Sequence, residues 1–252
     1  MNEQNLPFVS FGPADQNYNK RILPLLGNID NGQLYSWYVF NLLRLLSWAV
    51  LIGGIVATIA MLFGDSGYIK TAISMDGLPS GKKIGSSIGL VIGLVLSLIA
   101  VWAMYSIMKK RVEQIKEIEY NGLLNYIFVG LFPRLITLMG ELAFVLTLYI
   151  GLSQIFAALV GASVYAPLLG AGRFLFEVQG LGGMVPNSIS GDYGAFADGL
   201  QAGCITALSS VIVLILFYIY KEVYNYALRL VMALITFLPK FAIPLAIRSK
   251  SE

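Results

Sequence analysis

The chain has 252 residues, 57% of them hydrophobic and only 12% charged, with a net charge of +3 and a mean hydropathy of +0.75. A soluble domain carries about 25% charged residues, so half that share points to lipid as the solvent. There is no histidine and a single cysteine, Cys204. This excludes His-ligated zinc or haem, His-based catalytic triads, a CxxC redox pair, an iron–sulfur cluster and an intrachain disulfide. No cofactor or metal is expected.

Residues 1–33 are polar and lack an apolar core segment, so no secretory signal peptide is expected and the segment cannot build a core of its own. A spanning helix needs about 20 mostly apolar residues. Four stretches qualify in chain order: Leu42–Phe63, Ile84–Met108, Leu135–Ser163 and a shorter one near Gly203–Tyr220. The expected fold is all-α: a polytopic integral membrane protein with four transmembrane helices arranged as two hairpins. The chain divides into a polar N-terminal segment (1–33), a first hairpin with a helical extension (34–122), a second hairpin with a long Gly-rich outside loop at 164–202 (123–226), and an amphipathic tail (227–252). The tail is apolar, but Arg229, Lys240, Pro239 and Pro244 argue against a fifth span, since a charge at a helix centre costs about 2.5–3.5 kcal/mol on insertion scales. It reads as a continuation of the fourth helix followed by an interfacial segment.

Of the 17 Lys and Arg, only Lys70, Lys82, Lys83 and Arg173 lie in the two connections within the hairpins. The others fall in the N-terminal region, between the second and third spans, or after the fourth. The positive-inside rule therefore puts both termini in the cytoplasm, and a multi-pass bacterial inner-membrane location is expected. Tyr35, Trp37, Tyr38, Trp48, Trp102, Tyr105, Tyr218, Tyr220, Tyr224 and Tyr226 form the belt that aromatic rings make at such an interface. Arg44 opens the first span as Arg134 opens the third, which allows the chain to be read as a repeated hairpin.

Gly85, Gly89, Gly93 and Ser97 recur every fourth residue and lie on one stripe of the second span. Small residues let helix backbones approach closely where lipid supplies no hydrophobic drive. The expected partner is the first span through Gly53, Gly54 and Ala57, or another subunit. On the third span Gly140, Thr147, Gly151, Gln154 and Ala158 lie within about 40° of one line, a small and mildly polar face. Glu141 is the intramembrane carboxylate. Its candidate partners are Arg44 and Arg134, although Arg134 lies about 10.5 Å away along the axis of the same helix. Glu141 is read either as a packing lock or as part of a polar path with Gln154.

The 164–202 loop is apolar, and its only charges are Arg173, Glu177, Asp192 and Asp198. Its glycines predict turns rather than a long helix, and so apolar a loop needs a cover of lipid, bundle or partner. Enzyme motifs are fragmentary. Ser188-Ile189-Ser190-Gly191 has no histidine to act as base, and Gly180-Leu181-Gly182-Gly183 lacks the lysine of a P-loop. The resulting expectation is a non-enzymatic structural or accessory subunit of a membrane assembly. Its partners would be the lipid bilayer and other membrane proteins, as a homo- or hetero-oligomer, with no nucleic acid. The alternative is a channel or ion-coupled transporter using Glu141.

Overall fold

A computed structural model describes residues 33–63, 67–74, 79–118, 123, 125–178, 189 and 196–248, with backbone only at 33, 34, 175–178, 236 and 238–248. Five α-helices are present among these: α1 (Gln33–Ala60), α2 (Ser80–Lys116), α3 (Phe132–Val160), α4 (Leu169–Val178) and α5 (Phe196–Arg248). Two π-helical segments, Ile69–Ile73 and Asn125–Leu131, precede α2 and α3. Four helices, α1, α2, α3 and α5, are long and apolar enough to cross a membrane.

The numbering of the contacts makes consecutive spans antiparallel. Along α1 and α2, the Lys116 ammonium lies 5.6 Å from the Phe40 ring, the Trp48 and Tyr105 rings are 5.4 Å apart, and Gly54 faces Val101. Along α3 and α5, Gly140 faces Phe217, Gly151 faces Ala207, and Ile155 faces Gly203. Among the described spans, each substantial interface joins chain neighbours: α1 to α2, α2 to α3, and α3 to α5, the last being the most extensive. The spans thus form an open row. The inner helices α2 and α3 are accordingly far more buried than the edge helices α1 and α5.

α2 shows how sequence sets this packing. Its buried residues run Gly85, Gly89, Gly93, Ser97, Val101, Met104, Met108, Val112 and Ile115, one stripe at helical spacing that grades from small to large. The large end joins the main core with Ala143, Leu146 and Ile150 of α3, and a satellite core with Leu43 of α1. Burial of Val112 and Ile115 carries α2 past Met108, where hydropathy alone would end it, so the basic residues 109–116 are helical.

α3 begins at Phe132, with Pro133 in its first turn. Proline has no N–H to continue the preceding ladder, and the π register of Asn125–Leu131 gives way to α register there. It ends at Gly161, whose φ of +64° is the left-handed cap that glycine adopts without penalty. α5 starts at Phe196, inside the stretch expected to be loop, with Asp198 in its first turn where an acidic group complements the helix dipole. It runs unbroken to Arg248, so the backbone of 227–248 continues the fourth helix. At 1.5 Å per residue its 53 residues reach about 80 Å, well beyond the ~30 Å hydrocarbon core. The 1–33 segment, apart from the backbone of Gln33, lies outside the described residues, as does Asp192.

Candidate functional site

The carboxylate of Glu141 is held by Arg111, not by Arg44 or Arg134. The Arg111 Nε donates to Oε2 at 2.8 Å and its Nη2 donates to Oε1. Its Nη1 donates to Gln114 Oε1 at 2.7 Å, one turn further along α2. Both charged side chains are about one-fifth exposed, and the Tyr218 hydroxyl of α5 lies 3.5 Å from Glu141 Oε1. Three helices therefore converge on one carboxylate. The continuation of α2 beyond Met108, the helical extension expected there, brings Arg111 to Glu141, a pairing that the sequence reading did not name. Arg44 projects from an exposed position on α1. Arg134 turns elsewhere: its Nη1 is buried and donates to no hydrogen-bond partner among the described residues.

Beside the ion pair, at the basic end of the row, is a cavity of about 380 Å³. Arg111, Arg134, Thr137, Tyr218, Lys221 and Asn225 contribute to its wall, with Val129 and Gly130 of the π segment. The Thr137 hydroxyl is committed to the Pro133 carbonyl at 2.8 Å. Among the described residues, Lys221 has as its ion pair a 3.8 Å contact with its exposed neighbour Glu222. Phe132, next in sequence to the wall residue Pro133, stacks between Phe128 and Tyr224, with centroids at 6.5 and 5.4 Å, and the Tyr224 hydroxyl donates to the Phe128 carbonyl at 3.1 Å.

The opposite end is closed by two tyrosines that the sequence did not single out. The Tyr68 hydroxyl lies between the carbonyls of Ser86 (3.2 Å) and Ser163 and 3.3 Å from the Ser163 hydroxyl. Tyr165 donates to the Thr58 carbonyl, and the two rings meet edge to face at 5.3 Å. Burial pushes the Tyr165 phenol up to about 12 and raises that of Tyr68, because a phenolate loses hydration there. Both partners lie outside the long apolar windows, which is why hydropathy gave them no weight.

These tyrosines pin the segment after α3 into the glycine stripe of α2. A Cβ at Gly85 would lie 2.9 Å from Ala162 Cβ, and Cβ atoms at Gly89 and Gly93 would collide with the carbonyls of Ser163 and Tyr165. The Tyr165 N–H donates to the Gly89 carbonyl at 3.3 Å. Ser97 ends the stripe, donating to Gly93 O at 2.6 Å and lying 3.0 Å from the Tyr149 hydroxyl. The partner of the stripe is therefore the chain leaving α3 and α3 itself, in place of the first span or a second subunit. A segment of plain backbone can enter the groove only because no side chain fills it. Of the α1 residues expected opposite, Gly54 meets Val101, Gly53 has nothing within 4 Å, and Ala57 is half-buried.

The small face of α3 is buried throughout: Gly140, Thr147, Gly151, Gln154 and Ala158. Its two glycines accept α5, and Gln154 Oε1 has no hydrogen-bond partner among the described residues. The α5 side of this interface uses Gly203 and Ala207, a small-xxx-small pair that went unread because Gly203 was taken as the edge of a loop. Of the loop charges, Arg173 and Asp198 are exposed, and Glu177 lies on α4, where only its backbone is described. No family model matches the chain, and neither the curated proteins nor the solved structures contain a match.

Proposed function

We propose that the chain is a non-enzymatic helical subunit of a membrane assembly, with both termini on the cytoplasmic side. The observation that supports this most is the fork of two N–H donors from Arg111 onto Glu141. A bidentate guanidinium–carboxylate pair fixes geometry strongly. A proton or cation using Glu141 as its carrier would have to displace a guanidinium that is itself steadied by Gln114. Glu141 thus serves better as an inter-helix lock than as a relay, which weighs against the transport alternative. The open row adds a second support. α1 and α5 each present an apolar face with no helix among the described residues against it, such as Leu45, Ile52 and Ile59 on α1, and such faces suit lipid or the helices of other subunits. The placement of lysine and arginine supports the orientation.

The test compares the intact protein with Glu141→Gln. Both are reconstituted in liposomes for proton and cation flux, and both are sized by light scattering after extraction in mild detergent. Neither should conduct above protein-free vesicles, and the native assembly should exceed the 27.5 kDa of one chain. Flux present in the native protein and lost in Glu141→Gln would overturn the reading in favour of transport. A strictly monomeric particle would remove the subunit assignment.

A further inference from the structure

We propose that the cavity at the basic end binds a phosphate group, carried by an anionic lipid headgroup or by a soluble phosphate compound. The inference goes beyond the subunit reading and does not depend on it. Three cationic side chains, Arg111, Arg134 and Lys221, share one cavity of about 380 Å³. Of the three, Arg111 is the one that the carboxylate of Glu141 engages. Arg111 is therefore wall, and Arg134 and Lys221 are the groups left to meet a ligand.

Arg134 carries the argument. Its Nη1 is buried without a hydrogen-bond partner among the described residues, and a buried donor on a charged group that lacks an acceptor is costly. Water would satisfy the donor without balancing the charge. An anionic oxygen would do both. Lys221 adds a point charge whose only ion pair among the described residues is a long contact with an exposed neighbour, a kind that contributes little. The amide of Asn225 offers neutral N–H donors on the same wall. Guanidinium and ammonium groups around one concavity are suited to phosphate, and basic pockets between membrane helices recognise lipid headgroups in this way. The Phe128–Phe132–Tyr224 stack, whose members are the sequence neighbours of the wall residues Val129, Pro133 and Asn225, offers apolar surface for the glycerol and acyl portion of a lipid.

The full chain, delipidated in a neutral detergent, is titrated with inorganic phosphate, with phosphatidylcholine, and with phosphatidylcholine containing phosphatidylglycerol, following thermal unfolding. A rise in Tm with phosphatidylglycerol but not with phosphatidylcholine assigns the site to a lipid headgroup; a rise with inorganic phosphate assigns it to a soluble source. Lys221→Gln should weaken half-saturation about tenfold, the loss of roughly one charge-assisted contact, and Arg134→Gln at least as much. Lys221 is on the outer part of α5, so its variant keeps the test intact should Arg134→Gln fail to fold. Lys110→Gln, an exposed charge on α2 away from the cavity wall, should leave the response unchanged. The proposal is overturned if neither probe shifts Tm, or if Lys110→Gln and Lys221→Gln lose the response equally, since a diffuse surface field would then explain it.

Discussion

The hydroxyl of Tyr165 donates to the backbone carbonyl of Thr58 and so ties the chain leaving α3 to the far end of α1. Because burial holds the Tyr165 phenol near 12 against an ordinary 10.0, this end of the molecule should be alkali-sensitive. The sign follows from linkage. Below pH 10 the phenol is protonated in folded and unfolded chains alike, and its full contribution is present. Between pH 10 and about 12 the unfolded chain releases the proton first, so stability falls. Tyr165→Phe should cost about 1 kcal/mol at pH 8, one neutral hydrogen bond, and should flatten the decline above pH 10. Unfolding midpoints of both proteins across this range check it, and parallel curves would refute the assignment.

Two glycines should behave in opposite ways. An added Cβ at Gly93 collides with backbone that cannot swing aside, whereas Gly53 has open space around it. Gly93→Ala should destabilise by about 1–3 kcal/mol through overpacking. Gly53→Ala should be neutral or stabilising by up to about 1 kcal/mol, the helix-propensity gain. Thermal unfolding in one detergent compares them; equal effects would mean that the stripe is not filled by the Ser163–Tyr165 segment.

The Arg111–Glu141 pair lends itself to a double-mutant cycle. Arg111→Gln and Glu141→Gln should each cost about 1.5–3 kcal/mol, the range for hydrogen bonds to charged groups. The double variant should cost clearly less than the two losses combined, because neither strands an uncompensated charge. Strict additivity would show that the pair is not coupled.

Orientation is open to cysteine labelling. In a Cys204→Ser background, Ser80→Cys at the start of α2 should react with a membrane-impermeant maleimide applied to intact cells. Glu117→Cys, just beyond its end, should react only after the cells are opened. Both positions are exposed. The reverse pattern would invert the orientation proposed from the basic residues.

The spans were legible in the sequence because bilayer thickness is a ruler that composition cannot evade, and the small face of α3 was legible because helical periodicity is local. The partners of polar groups were not. Glu141 could be placed in depth, but Arg111 reaches it only because Val112 and Ile115 find apolar partners and prolong α2 by two turns. Hydropathy averages across such a boundary. The occupant of the glycine stripe was equally hidden: a groove shows that something approaches closely, and the chain after α3 carries no periodic signal of its own. Gly203 and Ala207, both within the expected fourth span, were within reach of the same four-residue spacing.

The row arrangement bears on how the molecule is made. Each span rests on the one synthesised just before it, so every partner is already installed when the next helix leaves the ribosome. Assembly of this kind leaves few early groups waiting for late ones, the hydroxyl of Tyr68 and the carbonyl of Thr58 among them, and contacts between chain neighbours cost less closure entropy than distant ones. A chain stopped after Tyr165 would retain the ion pair, the filled glycine groove and both tyrosine ties, and would lack α4 and the cover that α5 lays over α3.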